Sequence, residues 1–304
     1  MNSLNFPVLT KSIEASNIKI NKKKNDKSFK SQLLKWVGNK QKVAEEIISY
    51  FPKDYVRYIE PFLGSGGVLG VLNPSEAIAG DIFKPLMEIW ICLKSDKERL
   101  KKWYLERYLL IEKYGKKEAY SFVLDRYNSS PNGADFLFLL RACYGGIVRF
   151  RKKDGFMSTP CGSHSPIAPD KFDKRVDEWS LRIINTTFIN SDFSELMCKA
   201  RKGDLIYCDP PYLKSQSILY GAQSFDFKKL ICCIEECKKR GAKVALSIDG
   251  KSLLNDNDFN SNVPAGLFER EVLINVGRSM LKRFQMKGET LEKHTVSDRL
   301  LLTY

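Results

Sequence analysis

The segment that most restricts the fold is Leu205-Ile206-Tyr207-Cys208, which runs without a charge into Asp209-Pro210-Pro211-Tyr212. Two consecutive prolines have no N–H to give to a ladder and cannot continue a helix, so regular structure must end at Cys208. A short apolar run bounded in this way reads as a strand buried on both faces, the kind found in parallel sheets covered by helices. A second run, Lys243–Ile248, follows a helical stretch at Lys228–Arg240, and two more lie upstream at Tyr55–Ile59 and Ala77–Ala79. Between that upstream pair stands Glu60-Pro61-Phe62-Leu63-Gly64-Ser65-Gly66-Gly67, then an apolar helical segment. Strand, glycine turn, helix and strand make a βαβ unit, and the expected class is α/β.

Around this sheet the texture changes twice. Residues 1–30 are rich in Lys and Asn, without sustained period, and read as a flexible basic extension. Val43, Ile47, Ile48 and Phe51 then carry helical spacing that Pro52 closes. From Asp96 the chain holds long amphipathic helices, Leu100–Tyr114 and Ala119–Tyr127, followed by Phe136–Cys143 and a Gly-, Arg-, Lys- and Pro-rich stretch, Tyr144–Pro169. The expected organisation is a sheet domain over 31–95 plus 190–304, interrupted by a mostly helical insert over 96–189. No internal repeat is evident.

The 304 residues include 50 Lys plus Arg against 36 Asp plus Glu, a net charge of +14. Seven lysines in the first thirty residues face only Glu14 and Asp26, and basic density recurs at Arg149–Lys153 and Arg278–Lys287. Such a charge points to a polyanionic partner, with a simple solubilising coat as the alternative. An apolar content of 43% excludes wholesale disorder. No apolar run approaches the roughly 18 residues of a membrane span, and no h-region of a signal peptide is visible, so a cytoplasmic protein without a membrane partner is expected. The eight cysteines read as reduced. Cys232, Cys233 and Cys237 have no second ligand pair at zinc spacing, and His164 and His294 stand alone, so no metal site is expected.

The glycine loop permits close approach of a ligand to the backbone. A dinucleotide fingerprint starting at Gly64 would need glycine at position 69, which is Leu69, and no Lys-Ser or Lys-Thr pair closes a P-loop. Asp81 stands at the end of the following strand, where a carboxylate can accept hydrogen bonds from ribose hydroxyls. Together they read as a site for a nucleoside-bearing cofactor; an ordinary glycine turn is the alternative. At the end of the Leu205 strand, Asp209 can accept from an exocyclic amine and a proline carbonyl can accept the second N–H. Pro210 and Pro211 stiffen that arrangement, and Tyr212 offers a ring for stacking, worth roughly 1–3 kcal/mol per base. Two acceptors on one NH₂ group draw its lone pair out of conjugation and prepare the nitrogen to attack a methyl group. The plain alternative is a Pro-Pro turn.

With these residues in place, Asp209–Tyr212 resembles the catalytic tetrad of amino-group DNA methyltransferases, and Glu60–Gly67 resembles their S-adenosylmethionine loop. Leu34-Lys35-Trp36-Val37-Gly38-Asn39-Lys40 is similar to the opening motif of the Dam-type (D12 class, α-group) adenine-N6 enzymes. Cys143–Gly162 resembles their target-recognition hairpin, and Val296–Tyr304 their last strand. The resemblance spans residues 33 to 304. It implies a Rossmann-like S-adenosylmethionine-dependent methyltransferase sheet with an inserted, mostly helical target-recognition domain carrying a β-hairpin. It also implies that Trp36, Lys40, Glu60, Phe62, Gly64, Gly66, Asp81 and Asp209 serve the cofactor, and that Asp209, Pro210, Pro211 and Tyr212 serve catalysis. The family's usual Gly-Gly-Lys is Gly38-Asn39-Lys40 here. Asn tolerates a left-handed backbone better than most residues, so the turn is expected to survive.

An adenine inside a duplex must be flipped out before its N6 can react, and something must hold the opened DNA. Arg149, Phe150, Arg151, Lys152 and Lys153, followed by the turn dipeptide Asp154-Gly155, suit that task as a basic hairpin with apolar contacts. A solvated basic hairpin is the alternative. Its residues differ from those of GATC-recognising members, with one added, so GATC is not assumed. Arg278–Gly288 is a second candidate DNA-facing loop. The expected activity is site-specific transfer of a methyl group to adenine N6 in double-stranded DNA by a monomer, as the modification half of a restriction–modification system with a cognate endonuclease as possible partner. The alternatives are the same chemistry on cytosine N4, RNA adenine or protein glutamine, a nicotinamide oxidoreductase, or a DNA-binding module that has lost activity.

Overall fold

The computed structural model describes residues 29–211, 225–249, 263–277 and 296–304. Tyr212, the loop at Arg278–Gly288 and residues 1–28 of the basic extension lie outside the described residues. In chain order the elements are α1 (Ala44–Ser49), β1 (Tyr58–Glu60), α2 (Gly67–Leu72), β2 (Ala77–Asp81), α3 (Lys84–Ser95), α4 (Lys97–Tyr114), α5 (Lys116–Ser129), α6 (Gly133–Ala142) and α7 (Pro169–Arg182). They continue with β3 (Thr186–Asn190), α8 (Phe193–Cys198), β4 (Leu205–Cys208), α9 (Phe227–Lys239), β5 (Lys243–Asp249), β6 (Arg270–Gly277) and β7 (Val296–Leu302).

The described strands form one sheet in the order β3-β2-β1-β4-β5-β7-β6. Pairings from β3 through β5 are parallel, and β7 runs antiparallel to both β5 and β6. The chain starts at the centre, winds outward through β2 and β3, then returns to β4 beside β1. That reversal opens a crevice at the carboxyl ends of β1 and β4, the usual place for a ligand in such sheets. This is the expected Rossmann-like architecture.

Alternation along each strand sends neighbouring side chains to opposite faces. Tyr58, Leu205, Tyr207 and Ala245 join a core shared with α1, α2, α3 and the helices of the insert. Ile59, Ile206, Cys208, Val244, Leu246 and Ile248 join a second core under α8 and α9. The insert therefore has no separate core: Tyr104, Tyr120, Phe136 and Trp179 belong to the same cluster as the sheet. Among the described residues no helix is long and apolar enough to cross a membrane.

Two expectations are corrected. The first strand begins at Tyr58 rather than Tyr55, because Val56 is 65% exposed and its N–H goes to the Gly203 carbonyl instead of the β2 ladder. Residues 186–189, assigned to the insert, are part of β3, which pairs in parallel with β2 from Thr186↔Ala77 to Asn190↔Asp81. A half-exposed edge strand reading Thr-Thr-Phe-Ile-Asn has no apolar run to announce it.

Inside the insert, Asp135 is wholly buried and joins three helices. Its oxygens accept from Arg107 Nε of α4 at 2.9 Å, from Arg126 Nε of α5 at 2.8 Å and from Asn132 Nδ2 at 3.0 Å. Asn132 in turn caps α6 by accepting from the Asp135 N–H at 2.9 Å. Removing this buried carboxylate takes a charged partner from both guanidinium groups, although Arg107 keeps Glu106 at 2.9 Å. Asp135→Ala should cost about 3 kcal/mol in urea unfolding, the low end for a buried pair because Arg126 is 41% exposed.

Candidate active site

The glycine loop leaves β1 and enters α2 through a turn with two left-handed glycines, Gly64 at φ +48° and Gly66 at φ +64°. Three contacts hold it. Leu63 N–H donates to the Gly80 carbonyl of β2 at 2.9 Å, Trp90 Nε1 of α3 donates to the Gly64 carbonyl at 3.0 Å, and Gly64 N–H donates to Asp81 Oδ2 at 3.1 Å. Trp36 lies directly on the loop; a Cβ at Gly64 would come within 3.0 Å of its indole nitrogen. Gly66 is turned elsewhere, since a Cβ there would meet Trp90 at 3.0 Å, and it does not line the pocket. Its part is to shape the loop.

The opening segment packs against the loop by close approach. A Cβ at Gly67 would sit 2.6 Å from Asn39 Oδ1 and 2.8 Å from the Gln41 nitrogen. The expectation of a left-handed Asn39 is overturned: Asn39 has φ −55°, and Gly38, at φ +81°, takes the left-handed position. The Asn side chain serves instead as a cap, accepting from the Gln41 N–H at 2.8 Å. That explains how Asn can replace a glycine here without loss of the turn.

Capping at Asn39 starts a short turn that aims Lys40 into the crevice. Lys40 Nζ lies 2.8 Å from Asp209 Oδ1 and 3.2 Å from Asp298 Oδ2, all three side chains being mostly buried. Burial pushes the Asp209 carboxyl up to about 6, against the pull of Lys40 and with the help of the Asp298 charge. Glu60, at the end of β1, is buried and accepts from the Tyr58 hydroxyl at 2.8 Å. Burial raises its carboxyl to about 8 despite that hydrogen bond, so at neutral pH it is mainly a protonated acid. Burial also raises Asp81, while N–H groups of Phe83 and Gly64 pull it back. Cys208 points into the opposite core and its thiol is raised well above its ordinary value, which leaves it no nucleophilic role.

One pocket brings together Trp36, Lys40, Glu60, Phe62, Gly64, Asp81, Asp209, Pro210 and Pro211. The empty space between these residues, counted out into the open solvent, is about 1050 Å³. Fit to S-adenosylmethionine rests on the cradle itself. Glycines whose Cβ atoms would strike Trp36 and Asn39 bring the backbone up to the space. Sequence reasoning missed Asp192, Phe193 and Phe225, which line the same pocket from the β3–α8 turn and the start of α9. Phe62 stacks on Phe193 with ring centres 5.1 Å apart and meets Phe225 edge-on at 5.9 Å, an aromatic wall suited to a purine. Their only signal in the chain is a polar edge strand, which is no signal of a site.

The basic hairpin is present as a short antiparallel ladder, with Phe150 opposite Met157. Gly155, at φ +70°, closes its turn, and Arg151 N–H donates to the Phe156 carbonyl at 2.9 Å. Arg149, Lys152 and Lys153 are exposed and lie outside the pocket. Arg151 is tied to Asp154 at 2.8 Å and lies over the Phe156 ring. Phe150 is half-buried, with its ring 5.5 Å from that of Phe83, and so anchors the hairpin at the start of α3. Behind the ladder, Asn128 of α5 both donates to the Met157 carbonyl at 3.0 Å and accepts from the Met157 N–H at 2.8 Å.

Comparison with known proteins adds to this geometry. A family model described as D12 class N6 adenine-specific DNA methyltransferase matches residues 36–276. A DNA N-6-adenine-methyltransferase of Escherichia phage P1 is 27% identical over 285 residues, 85% of this chain and 37% of the phage protein. The chain thus spans little more than a third of that relative. A type II methyltransferase, M.MjaIII, of Methanocaldococcus jannaschii is 28% identical over 299 residues, 89% of this chain and 98% of its own length. A DNA adenine methylase of Vibrio cholerae serotype O1 is 27% identical over 231 residues, 70% of this chain and 79% of the relative.

Close packing of Gly67 on Asn39 and Gln41 gives a direct test of the pocket. Gly67→Ala should push the opening segment off the glycine loop and weaken S-adenosylmethionine binding about tenfold or more in calorimetry, with circular dichroism unchanged.

Proposed function

The chain belongs to the D12 class of N6 adenine-specific DNA methyltransferases, and from that membership we propose that it methylates N6 of an adenine flipped out of double-stranded DNA. The observation that carries this reading is Asp209, held by Lys40 at 2.8 Å on the rim of the nucleoside pocket and followed by two prolines lining the same space.

S-adenosylmethionine supplies an electrophilic methyl group when bound. Trp36, Gly64 and the Phe62–Phe193 wall would hold its nucleoside, and Asp81 its ribose. Asp209 accepts a hydrogen bond from the adenine amine, and the Pro210 carbonyl offers the second acceptor. Both draw the nitrogen lone pair out of the ring. Tyr212 would stack on the flipped base. The nitrogen that gains the methyl group sheds one proton, and an Asp209 carboxylate with a pKa near 6 can take it up. No covalent enzyme intermediate is needed, because the target nitrogen is itself the nucleophile.

Residues 96–189 act as the target-recognition domain in this reading. Arg149, Lys152 and Lys153 hold phosphates or read bases, while Phe150 and Asn128 keep the hairpin in place. Likeness to the type II methyltransferase M.MjaIII over nearly all of that protein's length supports a site-specific modification enzyme of a restriction–modification system. In this reading the chain acts as a cytoplasmic monomer alongside a nuclease that shares its site.

Incubation of the full chain with methyl-labelled cofactor and duplex DNA, followed by nucleoside analysis, tests the proposal. Label should appear as N6-methyladenine, and Asp209→Ala should lose it by about 100-fold or more while remaining folded. Label in cytosine, or none in DNA, overturns the reading. If the hairpin lysines hold phosphates, Lys152→Ala and Lys153→Ala should each lower the slope of log K against log salt by about 0.9.

A further inference from the structure

We propose that Asp298 is a positioning residue for methyl transfer: by sharing the Lys40 ammonium with Asp209, it fixes the carboxylate that receives the target amine. The inference rests on the reading of the site given above and extends it to a residue of the last strand. Asp298 lies on β7, in register with Ile274 of β6 and Asp249 of β5. It does not line the pocket; it stands behind Lys40, 3.2 Å from Nζ, while Asp209 stands in front at 2.8 Å. A lysine side chain has four rotatable bonds, and one ion pair leaves it free to swing with its partner. Two carboxylates, one just after β4 and one on β7, fix it, and through it they fix the Asp209 oxygen that it contacts. The other oxygen is then presented to the substrate at a constant angle, and small displacements of a reacting group cost large factors in rate.

Asp209 is faced by Lys40 from the opening segment, Asp298 from β7, Glu60 from β1 and the Cys208 thiol beside it. Burial keeps the Glu60 carboxyl mainly protonated at neutral pH and the thiol protonated throughout. Among the described residues, the charges that act on Asp209 are therefore those of Lys40 and Asp298. Removing the Asp298 charge takes away a repulsion, so Asp209 should take up its proton at a lower pH than in the wild type.

The full chain and its Asp298→Asn and Asp298→Glu variants are compared in steady-state methylation from about pH 5 to pH 9, with thermal melting as the check on folding. Asp298→Asn should lose between about 10- and 100-fold in kcat. KM for cofactor and for DNA should stay within about threefold. The acid limb of kcat should move to lower pH, and Asp298→Glu should recover part of the rate and the wild-type limb. Wild-type kcat in Asp298→Asn, or a lower kcat with an unmoved limb, overturns the proposal. Should Asp298→Asn fail to fold, Asp298→Glu decides. Its longer arm must lower kcat at unchanged melting temperature, and an unchanged rate overturns the proposal. A wild-type chain that methylates no adenine overturns the underlying reading instead, and the proposal with it.

Discussion

A lysine ammonium buried between two carboxylates is the contact on which the rest of this site depends. Lys40 could not stay in that place alone, because an unpaired buried charge is too costly to keep. Its partners come from the residue just after β4 and from β7, and the lysine itself comes from a segment ahead of the first strand. The contact therefore closes three distant stretches of chain over one crevice. It also sets the state of Asp209. Burial would keep that carboxyl protonated, and the neighbouring ammonium restores enough of the charged form for it to act as an acceptor near neutral pH.

The same economy of contacts links the crevice to the insert. Phe83 donates its N–H to Asp81 Oδ1 at 3.0 Å, and its ring takes edge contacts from Phe136 of α6 at 5.0 Å and Phe150 of the hairpin at 5.5 Å. One residue at the start of α3 thus touches the carboxylate expected on the ribose, the packed interior of the insert and the base of the basic hairpin. Because the insert shares its core with the sheet, the hairpin sits on a continuous packed body rather than on a separate module. Asn128 adds a two-way hydrogen bond from α5, which acts on the hairpin as a neighbouring strand would.

Much of this was legible in the chain because apolar runs, glycines and prolines act locally. The strand at Leu205–Cys208 ends where Asp209-Pro210 says it must, and Lys97–Tyr114, Lys116–Ser129 and Phe227–Lys239 fall within a few residues of the helical periodicities. What stayed hidden depends on partners far away in sequence. β3 is a polar edge strand that becomes a strand only by pairing with β2. Phe150 looks like a surface aromatic in a basic run until Phe83 is seen beneath it. Asn39 suggested a left-handed residue, and only the neighbouring Gly38 shows why it need not be one. Asp192 and Phe193 carry no motif of their own, and the likeness of Val296–Tyr304 to a last strand does not single out Asp298.

The most direct test of the central contact is a carbon-13 NMR titration of the Asp209 carboxyl, assigned by comparison with Asp209→Asn, in the wild-type chain and in Lys40→Met. An inflection near pH 6 is expected in the wild type, moving upward when the ammonium is removed. An inflection near the ordinary aspartate value of about 4 in both proteins would contradict the account, because Asp209 would then be neither buried nor held by Lys40.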